Sequence, residues 1–169
     1  MKQQPTLPTF GEIVPGAGGR LGAIMRGALV DGARQPDYGV IVSEAKGGDL
    51  GQHVWGTRDQ DVVGARSVTD GLHNTIAMAK AGSRIALSVV GLKHAGFGDW
   101  YLGARAEVFA CYANVPELFP QEWHWTSTQA SRDIAFAQLF ADGSSRWGGK
   151  DHELRVRAFR RIHLQHFTA

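Results

Sequence analysis

The chain has 169 residues, 43% hydrophobic and 20% charged, with a formal charge of +2 at pH 7. That size and balance describe one globular core and exclude a disordered or collagen-like chain, and so small and dispersed a positive charge leaves no electrostatic footprint for nucleic acid. The single cysteine, Cys111, cannot close an intramolecular disulfide; the opening MKQQPTLPTFGEIVPG lacks a signal-peptide core, and no run reaches the ~20 apolar residues of a membrane span. The expectation is synthesis in the cytoplasm without a signal peptide and without membrane insertion.

Residues 1–9, with Pro5 and Pro8, read as an extended leader, and 10–169 as one domain. Twenty-two glycines are about twice average usage and indicate many turns. Pro15-Gly16-Ala17-Gly18-Gly19 is a glycine-rich reversal before two neighbouring strands, Arg20 to Arg26 and Tyr38 to Ser43. It is not followed by the Lys-Ser/Thr pair that a phosphate loop needs. Residues 44–67 lose periodicity and read as a long loop anchored by Trp55. Asp59 and Asp61 are a thin basis for calcium, with no EF-hand loop around them.

A helix is expected after Thr69 or Asp70, with Leu72, Ile76 and Ala79 on its apolar face and Gly82 past its end. Residues 83–92 fit a strand or a short helix, and 93–102 a turn leading to a short extended piece. Ala104, Val108 and Cys111 align on one face of a second helix ended by Asn114 and Pro116, which makes Cys111 a core hydrophobe rather than a nucleophile. Strands follow at Trp123 to Thr128, Ile134 to Phe140 and Arg155 to Ile162. Asp142-Gly143 is a hairpin dipeptide and Gly148-Gly149 a second break. In the last strand Arg155, Arg157 and Arg161 are expected on a solvated or ion-paired face.

The order of these parts carries a resemblance. Asn74-Thr75 in a helix, Asp99-Trp100-Tyr101-Leu102, a second helix, Trp125-Thr126-Ser127-Thr128, Phe140-x-Asp142-Gly143 and Val156-Arg157-Ala158-Phe159-Arg160 together resemble the C-terminal domain family of the Legionella collagen-like adhesin. That family also occurs in bacteriophage tail-region proteins and is related to the formylglycine-generating-enzyme-like fold. The resemblance covers residues 70–162. It departs at Gly103-Ala104-Arg105-Ala106-Glu107-Val108, where the family continues with Pro and Ser or Thr, so the start of the second helix is the part it leaves open.

The resemblance implies an α+β, C-type-lectin-like fold: two helices packed on small twisted antiparallel sheets with long glycine-rich loops. It also implies a binding module of a phage tail or tail fibre, located in the virion, rather than an enzyme. The expected partners are a host cell-surface protein or glycan and other virion tail proteins, with a homotrimer by analogy with tail fibres. Contact residues would be Trp123, Gln129, Ser131, Arg132, Asp133, Ser144, Arg146, Trp147 and Lys150, with Trp125 divided between contact and core. The alternatives are a structural virion protein whose same face packs against neighbouring subunits and, least favoured, an enzyme with an unfamiliar site. No metal or other cofactor is expected: copper of the formylglycine type needs a second thiol beside Cys111, lectin calcium triplets are absent, and the histidines, His163 and His166 included, lack zinc spacing.

Overall fold

The computed structural model describes residues 6–168. Residues 1–5 of the expected leader lie outside the described residues, as does Ala169. The chain is a mixed α+β domain. Among the described residues no helix is long and apolar enough to cross a membrane.

The front of the chain supplies β1 (Ile13–Val14), β2 (Gly19–Met25), a small separate hairpin of β3 (Leu29–Val30) and β4 (Ala33–Arg34), and β5 (Tyr38–Ser43). Strands β2 and β5 pair antiparallel as expected, with Leu21 opposite Ile41. All of β5 is buried because both its faces are covered: Ile41 joins Val14, Ala17 and Leu21 on one side, and Val40 and Val42 join the core around Cys111 on the other. A Tyr-Gly-Val-Ile-Val-Ser run suits that position, since β-branched residues pack well on a doubly covered strand.

Residues 44–67 are less irregular than their composition suggests. A kinked helical turn (Ala45–Gly48) leads directly into β6 (Asp49–Val54), and only the following stretch is loop. Gly47 and Gly51, both at positive φ, break the alternation that would have marked a strand. Trp55 is the anchor expected of it: it is fully buried and its Nε1 donates to the Thr126 carbonyl at 2.8 Å.

Helix α1 (Gly71–Lys80) starts at Asp70, whose carboxylate accepts the His73 N–H at 3.0 Å. Its buried face is not Leu72, Ile76 and Ala79 but Gly71, Asn74, Thr75 and Met78. Polar residues win that face because each is fully engaged. Asn74 exchanges hydrogen bonds with the Ser67 backbone at 2.7 and 3.0 Å, and the Thr75 hydroxyl accepts the Leu102 N–H at 2.9 Å while donating to the Gly71 carbonyl. Leu72 and Ile76 are left 37% and 46% exposed. After Gly82 at positive φ, the ambiguous stretch is a helix, α2 (Arg84–Val90), capped by the Ser83 hydroxyl. Then come β7 (Tyr101–Leu102) and α3 (Arg105–Asn114), with Ala104, Val108 and Cys111 buried together as the spacing indicates.

The last third forms β8 (Trp123–Gln129), β9 (Ile134–Leu139), β10 (Ser145–Gly149) and β11 (Glu153–His163). Gly148-Gly149 is therefore the end of a strand rather than a break, and the β9–β10 reversal is at Asp142-Gly143 as expected. Strand β11 is the hub: it pairs antiparallel with β5, β6 and β7 and parallel with β8 at Arg155. The sheet runs β1-β2-β5-β11-β8-β9-β10, so β10 is an outer edge.

Strand β11 is enclosed on both sides: of the arginines expected on its solvated or ion-paired face, Arg155 pairs with Asp49 and Glu122 and Arg161 with Asp70 and Glu107, but Arg157 turns into the interior. Arg157 is buried and donates to the Ser43 and Leu118 carbonyls, while Arg160 is buried against Phe97 and pairs with Asp99 and the Ala17 carbonyl. Guanidinium groups tolerate this because each planar donor set meets acceptors from several elements at once.

Candidate functional site

The expected contact residues divide into two groups. Gln129 and Lys150, placed on the surface by sequence reasoning, are buried. The Lys150 backbone N–H continues the β9–β10 ladder to the Asp133 carbonyl, but its side chain turns inward over the Trp55 ring, 4.7 Å from the centroid. There the ammonium donates to the Gln60 carbonyl at 2.7 Å and to Gln129 Oε1 at 2.6 Å. Gln129 also accepts the Val62 N–H and donates to Asp61. Desolvation lowers the Lys150 pKa to about 8.

These two residues thus tie the loop after β6 to the sheet. The turn at Ser131–Asp133 shares that work: Asp133 accepts the Asp59 N–H at 2.8 Å, Arg132 pairs with Asp59 at 2.9 Å, and the Ser131 hydroxyl accepts the Asp133 N–H. Asp59 and Asp61 belong to separate ion pairs, the latter with Arg66, and no cluster of three metal-type side chains exists among the described residues. Trp125 is buried in the core, with its Nε1 donating to the His53 carbonyl at 2.9 Å. Cys111 is also buried, and burial pushes its thiol well above the ordinary range, so it is not poised as a nucleophile.

The second group stays together at the β10 edge. Trp147 is 62% exposed yet held edge-to-face on Phe136, its cross-strand partner, with ring centroids 6.4 Å apart. On the opposite face of the strand the Arg146 guanidinium stacks over Trp123 at 4.3 Å. The hairpin is fixed by Gly143 at positive φ and by Asp142, which accepts the Ser144 N–H at 2.8 Å. These contacts limit the rotamers of two large side chains that remain open to solvent, the arrangement that lowers the entropy cost of binding.

Sequence reasoning missed the continuation of this surface. Arg105 of α3 stacks over the Phe136 ring, 4.1 Å from its centroid, and with Val68, Ala106, Phe109 and Ser145 it lines a shallow hollow of about 270 Å³. Two signals were available. Phe136 lies between Ala135 and Ala137, so strand alternation turns it away from the face on which those alanines are buried. Arg105 and Phe109 stand at i and i+4 on a helix whose core face is Val108 and Cys111.

Buried ionisable groups lie elsewhere. Glu107, 0% exposed, accepts from five donors: the Tyr38 and Tyr101 hydroxyls at 2.7 and 2.8 Å, Arg161 at 3.3 Å, and the Gly71 and Ala104 N–H groups at 3.0 and 2.7 Å. Burial holds its carboxyl above the ordinary range, a rise that Arg161 and the hydrogen bonds reduce without cancelling. All five neighbours donate to it, and only the two tyrosine hydroxyls could turn to accept a carboxyl proton. His124, buried against Phe119 and Phe140 with Nδ1 on the Glu122 carbonyl, is lowered by burial to about 4 and is neutral at pH 7.

Compared with known proteins, the chain matches no family model and has no significant match among curated proteins.

Proposed function

We propose that the chain is a non-catalytic binding module on a C-type-lectin-like scaffold, carried by a bacteriophage tail or tail fibre, and that it contacts a glycan or protein of the host cell surface through the β10 edge. The motif order over residues 70–162 supports the scaffold and its setting. A last strand that returns to pair with β5 from the front half is consistent with it. The observation that carries the binding reading is Trp147: a 62%-exposed indole held on Phe136, whose ring Arg105 also covers, next in an open edge strand to the exposed Arg146.

Exposed rigid aromatics beside guanidinium groups stack on sugar rings or partner side chains and donate planar hydrogen bonds. Gln129 and Lys150, buried against the loop after β6, do not touch the ligand. The test is adhesion of the labelled, purified chain to a panel of bacterial cells and to an array of their surface glycans. Trp147→Ala and Arg146→Ala lower retention by about tenfold or more with thermal stability unchanged. Undiminished adhesion by both variants, or no adhesion by the native chain together with protection of Trp147 in the assembled particle, would replace host contact by a role in particle architecture.

A further inference from the structure

A trough of about 310 Å³ lies beside the end of β11, lined by Val30, Pro36, Tyr38, Leu72, Asp99 and Arg161. A second hollow of about 190 Å³ shares Leu72, Asp99 and Arg161 with it and continues to Ile76 and Val90. Arg161 is common to both. Its guanidinium is stacked over Tyr38 at 4.3 Å and Tyr101 at 5.1 Å, and Nη2 donates to Asp70 at 2.7 Å and to Glu107 at 3.3 Å. Among the described residues its Nη1 donates to no protein group and is not sealed from solvent, whereas Nε, also without a partner, is enclosed by protein.

The local charges define what can use the Nη1 donor. Arg161 is compensated by Asp70 and Glu107, and Arg160 by Asp99, so two guanidinium groups face three carboxylates. A phosphate or carboxylate would meet net negative charge. A neutral acceptor meets a fixed, directional donor, and a cationic or N–H group meets Asp99, whose side chain is 63% exposed. Beside Gln35, Asp70 and His163 the walls carry exposed apolar side chains, Val30, Leu72, Ile76 and Val90, and the guanidinium is stacked on the buried rings of Tyr38 and Tyr101, which leaves a sugar no aromatic platform there.

A peptide backbone offers neutral carbonyls and N–H groups in alternation, and in extended form directs side chains to both walls. We propose that this trough docks an extended segment of a partner protein, with a backbone carbonyl on Arg161, apolar side chains against Leu72, Ile76 and Val90, and a lysine or arginine toward Asp99. The site is independent of the β10 edge: in the sheet order β8 and β9 separate β11 from β10.

The probe is an array of acetylated, amidated octapeptides on a Gly/Ser scaffold, with leucine or serine at two alternate positions and lysine, glutamate or serine beside them. The native chain retains the leucine peptides, best with lysine. Leu72→Glu and Ile76→Glu, on the exposed face of α1, each weaken retention about tenfold with circular dichroism unchanged. Trp147→Ala leaves retention unaltered, which separates this site from the β10 edge. Retention equal for leucine and serine peptides, retention insensitive to Leu72→Glu, or a preference for the glutamate peptides with competition by inorganic phosphate would each overturn the proposal.

Discussion

Glu107→Gln is the sharpest perturbation of this fold, because one carboxylate joins β5, α1, β7, α3 and β11 through Tyr38, Gly71, Tyr101, Ala104 and Arg161. Glutamine preserves the volume and changes only charge and donor pattern. Its amide oxygen must stay on the Gly71 and Ala104 N–H groups, which cannot rotate. The NH₂ then replaces Oε1. Tyr38 and Tyr101 can turn their hydroxyls to accept, but Arg161 Nη2 now faces a donor and keeps only Asp70 at 2.7 Å.

Removing one partner of a buried ion pair costs about 3–5 kcal/mol, and the surviving Asp70 contact places this case near 3. For a domain of this size that lowers Tm by about 6–12 °C. Urea unfolding followed by tryptophan fluorescence gives the same number as a shift in midpoint at constant slope. A cycle with Tyr101→Phe shows coupling of about 1 kcal/mol or more. A loss below about 1 kcal/mol, no larger than that of the exposed control Glu153→Gln, would refute the idea that Glu107 is held as a carboxylate by convergent donors.

Three further outcomes are expected. Gly71→Ala places a Cβ 2.4 Å from both Glu107 Oε2 and the Leu102 carbonyl, so it destabilises by about 2 kcal/mol or more despite the better helix propensity of alanine, read as a Tm shift. In acid, the unfolded chain protonates His124 near pH 6.5 and the folded chain only near 4, so stability falls as pH drops through that window. Between pH 7 and 5 the difference amounts to about 2 kcal/mol, and the urea-measured gap between the native chain and His124→Gln narrows by that much. In base, Lys150 releases its proton at about 8 when folded but near 10.5 when unfolded, so its contribution to stability rises with pH across that interval. The Cys111, Tyr38 and Tyr101 groups, raised by burial, act in the opposite sense, but they cancel in the difference between the native chain and Lys150→Met. That difference shifts in favour of the native chain from pH 8 to 9.5, and a constant difference would show that Lys150 is solvated.

The parts of this fold that were legible in the sequence are those fixed by neighbours in the chain. Val40-Ile41-Val42 marked a strand, Ala104, Val108 and Cys111 marked a buried helical face, and Asp142-Gly143 marked a hairpin, each by local spacing and backbone preference. Asn74, Thr75, Gln129, Lys150 and Arg157 were not legible as core, because each is buried by partners in other elements: Leu102 for Thr75, Gln60 for Lys150, Ser43 for Arg157. Periodicity scores such residues as solvent-facing and assigns the core to Leu72 and Ile76, which are exposed. At the β10 edge Trp147, Arg146 and Ser144 stood out as aromatic and polar residues beside a turn. Arg105 and Phe109 did not, because only tertiary packing brings α3 to Phe136.

The same polar interior leaves the β10 edge outside the network that holds the scaffold. Strand β11 sends Arg155 to Asp49 and Glu122, Arg157 to Ser43 and Leu118, Arg160 to Asp99 and Ala17, and Arg161 to Asp70 and Glu107, so one strand fixes the ends of most other elements by directional bonds. None of those bonds involves β10. Its ties to the domain are the ladder to β9, the two aromatic stacks and the inward turn of Lys150. Substitutions at Ser144, Arg146 or Trp147 therefore leave the hub intact, whereas a change at Gln129 or Lys150 loosens the loop packed under Trp55. Outward side chains decoupled from the core in this way can be substituted at little cost in folding, which is what the binding role proposed for this edge requires.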